Sequence, residues 1–247
     1  MPFLSKIRIN PLRQKGGLLV RNPHVAHGMI SGGIAGNPTR ERTLWRLDTA
    51  DPRRPSLLVL TETKPDWSHI VDQAGWPHAE GEHFTIRDYS PLFTHLTLGH
   101  EFAFRVTAHP VENTINPNKP TPAQQKRRDN GNTRGFRLTH RTAAHQLDWF
   151  VRRTANWGFT IPSARRDHAA PGLDDTGTPA HDVRIVARNP QRFHKGPTRI
   201  LVSLTAVTFE GRLAITDPTT FKQRLLDGIG PSKAYGCGLL TLAPLSR

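Results

Sequence analysis

Gly228-Ile229-Gly230-Pro231-Ser232-Lys233-Ala234-Tyr235-Gly236-Cys237-Gly238 runs directly into the apolar segment Leu239-Leu240-Thr241-Leu242-Ala243-Pro244-Leu245. Four glycines in eleven residues allow positive φ and close backbone approach, so main-chain N–H groups can line a concave anion site with Lys233 in its middle. The spacing is neither G-x-x-x-x-G-K-[ST] nor a G-x-G-x-x-G that follows a strand and opens a helix. The run instead leads from a helix expected at 219–226 into a strand. Taken alone, a loop of this kind is also a common tight helix-to-strand connection.

Working outward, Ala206-Val207-Thr208-Phe209-Glu210-Gly211-Arg212-Leu213-Ala214-Ile215-Thr216-Asp217 alternates apolar residues and predicts a β-hairpin turning at Glu210-Gly211. Further upstream, 182–187 and 200–209 read as strands, 159–178 as a polar loop, 141–157 as an amphipathic helix and 136–138 as a short strand. The amino-terminal half shows a strand at 3–9, a basic loop, and then Asn22-Pro23, a helix start with proline in the first turn, for a helix over about 23–35. Strands follow at 43–48 and 56–61, a helix at 66–74, and a strand at 101–108. This order predicts an α+β fold of two tandem ferredoxin-like (RRM-like) βαββαβ domains, 1–110 and 136–247, joined by a flexible basic linker at 111–135. The segment 62–100 holds five histidines with no clear pattern.

The chain has 247 residues, 36% hydrophobic and 22% charged, which suits one large domain or two of about 100–120 residues. No apolar run reaches the ~18 residues of a membrane span, and the amino terminus lacks the apolar stretch of a signal peptide. The single cysteine, Cys237, excludes an intrachain disulfide and a cysteine-built zinc site. A cytoplasmic protein, monomeric when free, is expected. A formal charge of +14, with 34 Lys and Arg against 20 Asp and Glu, favours polyanion partners through counterion release. Arginine predominates, which suits forked bonding to phosphate and stacking on bases.

His24 and His27 stand three apart on the first predicted helix and so share a face. The pair lacks the i,i+4 spacing and glutamate of H-E-x-x-H, and no carboxylate cluster for paired magnesium ions is evident. A metal site and a cofactor are not expected. Histidine suits proton transfer near neutral pH.

The run from Gly228 to Pro244 resembles the carboxy-terminal glycine-rich loop of the CRISPR RNA-processing endoribonucleases of the CasE (Cse3) family, the nuclease subunits of type I-E Cascade. The 206–217 segment, Thr43-Leu44-Trp45-Arg46-Leu47-Asp48 and Asn22-Pro23-His24-Val25-Ala26-His27 resemble other parts of the same family's pattern. The resemblance implies that His27 is the catalytic histidine. His24 stands where tyrosine is frequent and Gly28 where a basic residue is frequent. It also implies a cation near the cleaved phosphate, from Lys195 or Arg192 in the basic patch Arg188, Arg192, His194, Lys195. Binding of an RNA stem is expected from Lys233, Gly230, Ser232 and Gly236 of the loop, from Lys126, Arg127 and Arg128, and from Arg134, Arg137, Arg141 and Arg188. The implied substrate is the repeat hairpin of precursor CRISPR RNA, cut without metal by 2′-hydroxyl attack, with the product retained among other Cascade subunits. A non-catalytic RNA-binding subunit of the same fold and a metal-dependent nuclease are the competing readings.

Overall fold

The computed structural model describes residues 1–36, 40–115, 120–131, 135–164, 180–195 and 200–245. The first half comprises β1 (Phe3–Arg8), α1 (Gln14–Arg21), α2 (Pro23–Ser31), β2 (Leu44–Asp48), β3 (Ser56–Thr61), α3 (Ser68–Ala74) and β4 (Phe84–Asp88). Its four strands form one antiparallel sheet in the order β2-β3-β1-β4. Strand alternation sends Ile7, Leu57, Val59 and Trp45 to one face, where they bury Leu19, Ala26, Ile30, Trp67 and Ile70 of the three helices. The helix start at Asn22-Pro23 forms as its sequence implies: the Asn22 side chain accepts from the His24 N–H at 3.0 Å, and Pro23 opens the first turn.

The second half comprises β5 (Glu101–Ala108), β6 (Val111–Thr114), α4 (Pro122–Asp129), β7 (Phe136–Thr139), α5 (Ala143–Val151), β8 (Phe159–Thr160), β9 (Val183–Lys195), β10 (Ile200–Ile215), α6 (Pro218–Asp227) and β11 (Leu240–Ala243). A second antiparallel sheet runs β11-β5-β10-β8, with β9 also laddered on β10, while β6 and β7 pair only with each other. Phe150 of α5 stacks on Phe209 of β10, ring centroids 4.5 Å apart, at the centre of this half's core. Among the described residues no helix is long and apolar enough to cross a membrane.

Several expectations are corrected. Glu101–Ala108 does not close the first sheet; β4 does, and β5 is a central strand of the second sheet between β10 and β11. Phe136–Thr139 is confined to the two-stranded ribbon and joins neither large sheet. Glu210-Gly211 is not a turn but the middle of the sixteen-residue strand β10. Glycine is required there by close approach, because a Cβ would lie 2.1 Å from the Asp182 carbonyl oxygen. The basic segment 188–195 is not a loop but the continuation of β9 along β10. The expected basic linker contains α4, closed by a capping box between Thr121 and Gln124.

The two sheets meet along one seam. Leu44 and Leu60 pack against Leu239 and Tyr89, and Arg46, 3% exposed, crosses between the halves. Its guanidinium is paired with Asp48 at 2.7 and 3.0 Å and donates to the carbonyl oxygens of Arg105 (2.9 Å) and Leu239 (3.3 Å) and to Thr241 Oγ1 (2.9 Å). Removing one partner from such a buried network leaves the others desolvated and unpaired, at a cost of about 3 kcal/mol. Arg46→Ala is therefore expected to lower the unfolding free energy by about that amount in urea titration, whereas the exposed Arg54→Ala should change it little.

Candidate nucleic-acid interface and histidine pair

The glycine run is a wedge in the seam. Gly228, Gly230, Gly236 and Gly238 have φ of 79°, 69°, 78° and 97°, and Ser232 is at 65°, the one non-glycine residue with positive φ among those described. A Cβ on Gly236 would lie 2.8 Å from the Trp45 ring, and one on Gly228 would lie 2.6 Å from Leu44. The glycines thus serve close packing on β2 as well as the turn conformation.

Much of the loop's polarity is spent within it. Ile229 N–H donates to Gly238 (2.9 Å), Gly238 N–H to Thr107 (2.7 Å), Tyr235 N–H to Ser232 (2.9 Å) and Gly236 N–H to Lys233 (3.3 Å). Lys233 Nζ donates to the Gly230 carbonyl at 2.8 Å, and burial of this ammonium lowers its pKa from the ordinary value. Lys233 therefore braces the turn from inside. The N–H groups of Gly230 and Ser232 have no acceptor among the described residues.

Helix α2 lies beside the short 3-10 turn Lys233–Tyr235 and beside β9, so the histidines sit where the glycine turn, the β9–β10 arm and the first sheet converge. His27 is half-buried, and its Nδ1 is buried with no partner among the described residues. Burial, then the neighbouring His24 and Lys195, lower its pKa from the ordinary value, which keeps the imidazole neutral at neutral pH. Lys195 is thus one of the charges felt at His27, and Arg192 is not among them. Arg192 instead lines a cleft of about 590 Å³ with Trp45, Arg46, Tyr235 and Gly236. Phe193 anchors this part of the arm through an edge-on contact with Tyr235, centroids 4.9 Å apart.

The remaining basic residues spread along the same half of the molecule. Arg137 of β7 borders a hollow with Gly230, Pro231, Trp149 and Arg153. Arg188 donates to the Arg141 carbonyl. Lys126, Arg127 and Arg128 lie on α4, all exposed, with Arg127 over the Phe136 ring at 5.7 Å. Arg134 lies outside the described residues. Glu210 of β10 is ion-paired with Arg105 and Arg184. It lies ten residues along β10 from Ile200, the partner of Lys195, or ~30 Å at strand rise.

His109 carries no signal in the sequence. It is 6% exposed, its Nδ1 is 3.0 Å from Ser232 Oγ, and its Nε2 is buried without a partner. Burial, reinforced by Arg137, pushes its pKa down to about 4. It therefore holds the strained Ser232 as a neutral imidazole.

A family model described as CRISPR associated protein matches residues 2–244. The chain belongs to that family. The CRISPR-associated endoribonuclease Cse3 of Thermus thermophilus is 30% identical over 245 residues, covering 98% of this chain and 100% of that protein. The CRISPR system Cascade subunit CasE of Escherichia coli is 28% identical over 207 residues, 82% of this chain and 89% of its own. Thermus thermophilus Cse3 bound to an RNA representing a pre-cleavage complex superposes with a TM-score of 0.69 at 28% identity, covering 98% of this chain and 99% of that one. The Cas6e structure from Escherichia coli, at 21% identity and a TM-score of 0.62, shows the fold alone. As in these family members, the fold here is mixed α and β with antiparallel sheets.

His109 gives a pH test. Between its folded value near 4 and the unfolded value of 6.5, the unfolded chain binds more protons, so stability falls as the pH drops through that window. Unfolding free energies measured from pH 7 to 4 should decline in the wild type, and His109→Gln should flatten that decline. An unchanged slope in the variant would place the acid sensitivity elsewhere.

Proposed function

We propose that this protein is a metal-independent endoribonuclease that cuts precursor CRISPR RNA at the base of the repeat stem-loop and stays bound to the product hairpin within Cascade. One observation carries the reading: a half-buried imidazole with a lowered pKa stands beside a second histidine and a lysine, at the edge of a glycine turn with unused N–H groups. The family relationship supports the substrate, since the similar proteins are named as a CRISPR endoribonuclease and a Cascade subunit. The net charge supports a polyanion held through its phosphates.

The chemistry follows from what these groups can exchange. Neutral His27 takes the proton of the 2′-hydroxyl, whose oxygen attacks the adjacent phosphorus in line. Lys195 offsets the added charge on the phosphorane oxygens. His24, as the imidazolium, gives its proton to the departing 5′-oxygen as the P–O5′ bond breaks. The products are a 2′,3′-cyclic phosphate, which opens to a 3′-phosphate on hydrolysis, and a 5′-hydroxyl. General acid–base catalysis of this kind contributes ~10²–10⁴-fold. The lowered pKa of His27 supports its role as base; no step calls for a metal-bound water.

The stem is held by the glycine turn, the Arg137 ribbon and the α4 cations. A-form RNA is recognised largely by shape and backbone, which suits such a dispersed basic surface. The strand orders support two tandem ferredoxin-like units. The first ends with β4, and the second takes β5, α5, β9, β10, α6 and β11 in the same spatial order, which supports a division between 88 and 101.

Purified protein should cut a cognate repeat hairpin once in EDTA. His27→Ala should abolish cutting, leave hairpin affinity within a few-fold and show no general unfolding by circular dichroism. Deoxyribose at the cut site should block the reaction. Cleavage that persists on the deoxy substrate would refute the nucleophile, and binding without any cleavage would favour the non-catalytic reading.

A further inference from the structure

Five tryptophans occur in the chain, and four are core residues: Trp45, Trp67, Trp149 and Trp157 are 3%, 0%, 2% and 7% exposed. Trp76 is the exception. It follows α3 at the end of the first sheet, is only partly buried and belongs to none of the hydrophobic clusters. Among the described residues no aromatic ring stacks on it and no cation caps it.

Its surroundings are basic. On one side a cavity of about 430 Å³ is lined by Trp76 together with Lys6, Arg8, Arg54 and His83. On the other a hollow of about 500 Å³ is lined by Trp76 and Arg13. Lys6 and Arg8 are two apart on β1 and therefore project from the same face of the sheet, the face opposite the helices. Neither they nor Arg54 nor Arg13 forms an ion pair with a described carboxylate. No acid lines either space; Glu80 and Glu82 flank the region in the α3–β4 connection but stay outside both linings. The lining groups come from β1, the start of β3 and the two ends of the helical layer, none from α2, the β9–β10 arm or the glycine turn. The site is therefore separate from the histidine pair.

A partly buried tryptophan lining two adjoining spaces, among cations with no described carboxylate partner, matches one ligand chemistry: an unstacked base with its flanking phosphates. Duplex RNA has no free base face to offer, so the ligand must be single-stranded. We propose that Trp76 with Lys6, Arg8, Arg54 and Arg13 forms a second RNA subsite, which takes a single-stranded nucleotide segment flanking the hairpin. The cations hold the backbone and Trp76 stacks one base. This rests on the proposed RNA-binding function but not on the cleavage mechanism.

The test uses full-length protein and a hairpin made uncleavable by deoxyribose at the cut site, with and without a single-stranded extension on its 5′ or 3′ side. At fixed salt, one extension should tighten wild-type binding by about tenfold, the scale of one aromatic–base stack with its phosphates. Trp76→Ala should lose that gain while binding the bare hairpin as the wild type does; Trp76→Phe should keep most of it. Lys6→Glu with Arg54→Glu should also lose it and flatten its salt dependence. A single-stranded oligonucleotide alone should quench wild-type tryptophan fluorescence and leave Trp76→Phe emission nearly unchanged. Neither extension tightening the wild type, or Trp76→Ala weakening both RNAs alike, overturns the subsite while leaving hairpin cleavage as the separate check on function. Failure to bind any of these RNAs would overturn both.

Discussion

The arrangement of the whole molecule depends on one buried cation. Arg46 lies in the seam between the sheets and satisfies Asp48 on its own strand while donating to Arg105 of β5, to Leu239 just before β11 and to Thr241 of β11. A guanidinium so enclosed is tolerated only because its donors find fixed acceptors, and three of those acceptors come from the other half of the chain. The pairing therefore fixes register between the halves, which apolar contact among Leu44, Leu60 and Leu239 alone would leave free to slide. Buried polar groups used in this way give specificity more than net stability.

The candidate site is a consequence of that seam. The glycine turn leaves α6 in the second half yet rests on Leu44 and Trp45 of β2, next to the clamp. Four glycines let it approach closely enough, and Lys233 and the internal N–H bonds hold its shape. From the other side His109 grips Ser232. The same turn lies against α2, so the histidines carried by the first half are set beside the glycine turn belonging to the second. The long β9–β10 arm then brings Lys195 within electrostatic reach of His27, with Phe193 on Tyr235 as its anchor. Three segments remote in sequence meet at one place because the two sheets are locked together.

Features that rest on local chemistry were legible in the sequence. Asn22-Pro23 predicts the start of α2, the alternation in 43–48 and 56–61 predicts two strands, and the glycine spacing predicts a tight turn into a final strand. Features that depend on partners were not. α1 has no side-chain cap and contains Gly16, which the Asn10 and Ala74 carbonyls approach too closely for a Cβ, and Gly17; nothing local signals it. β4 is an edge strand whose Phe84 and Ile86 are only partly buried, so its alternation is faint among the surrounding histidines. The outer part of β9 carries Pro190 and several cations and is mostly exposed, so it reads as a loop; only its ladder to β10 makes it a strand. The site divides the same way. His24 and His27 share one helix and were legible as a pair, but the choice between Lys195 and Arg192 depends on how the arm folds over α2. His109 is invisible without its Ser232 partner.

On the proposed function, the histidine pair and the glycine turn address one phosphodiester across the seam. A crystal structure of the protein with its repeat hairpin, blocked by deoxyribose at the cut site, tests it most directly. The scissile phosphate is expected within hydrogen-bonding reach of His27 and Lys195, with the stem's backbone against the Gly230–Ser232 turn. A hairpin seated elsewhere, with its scissile phosphate remote from His27 or the glycine turn making no contact with RNA, would contradict it.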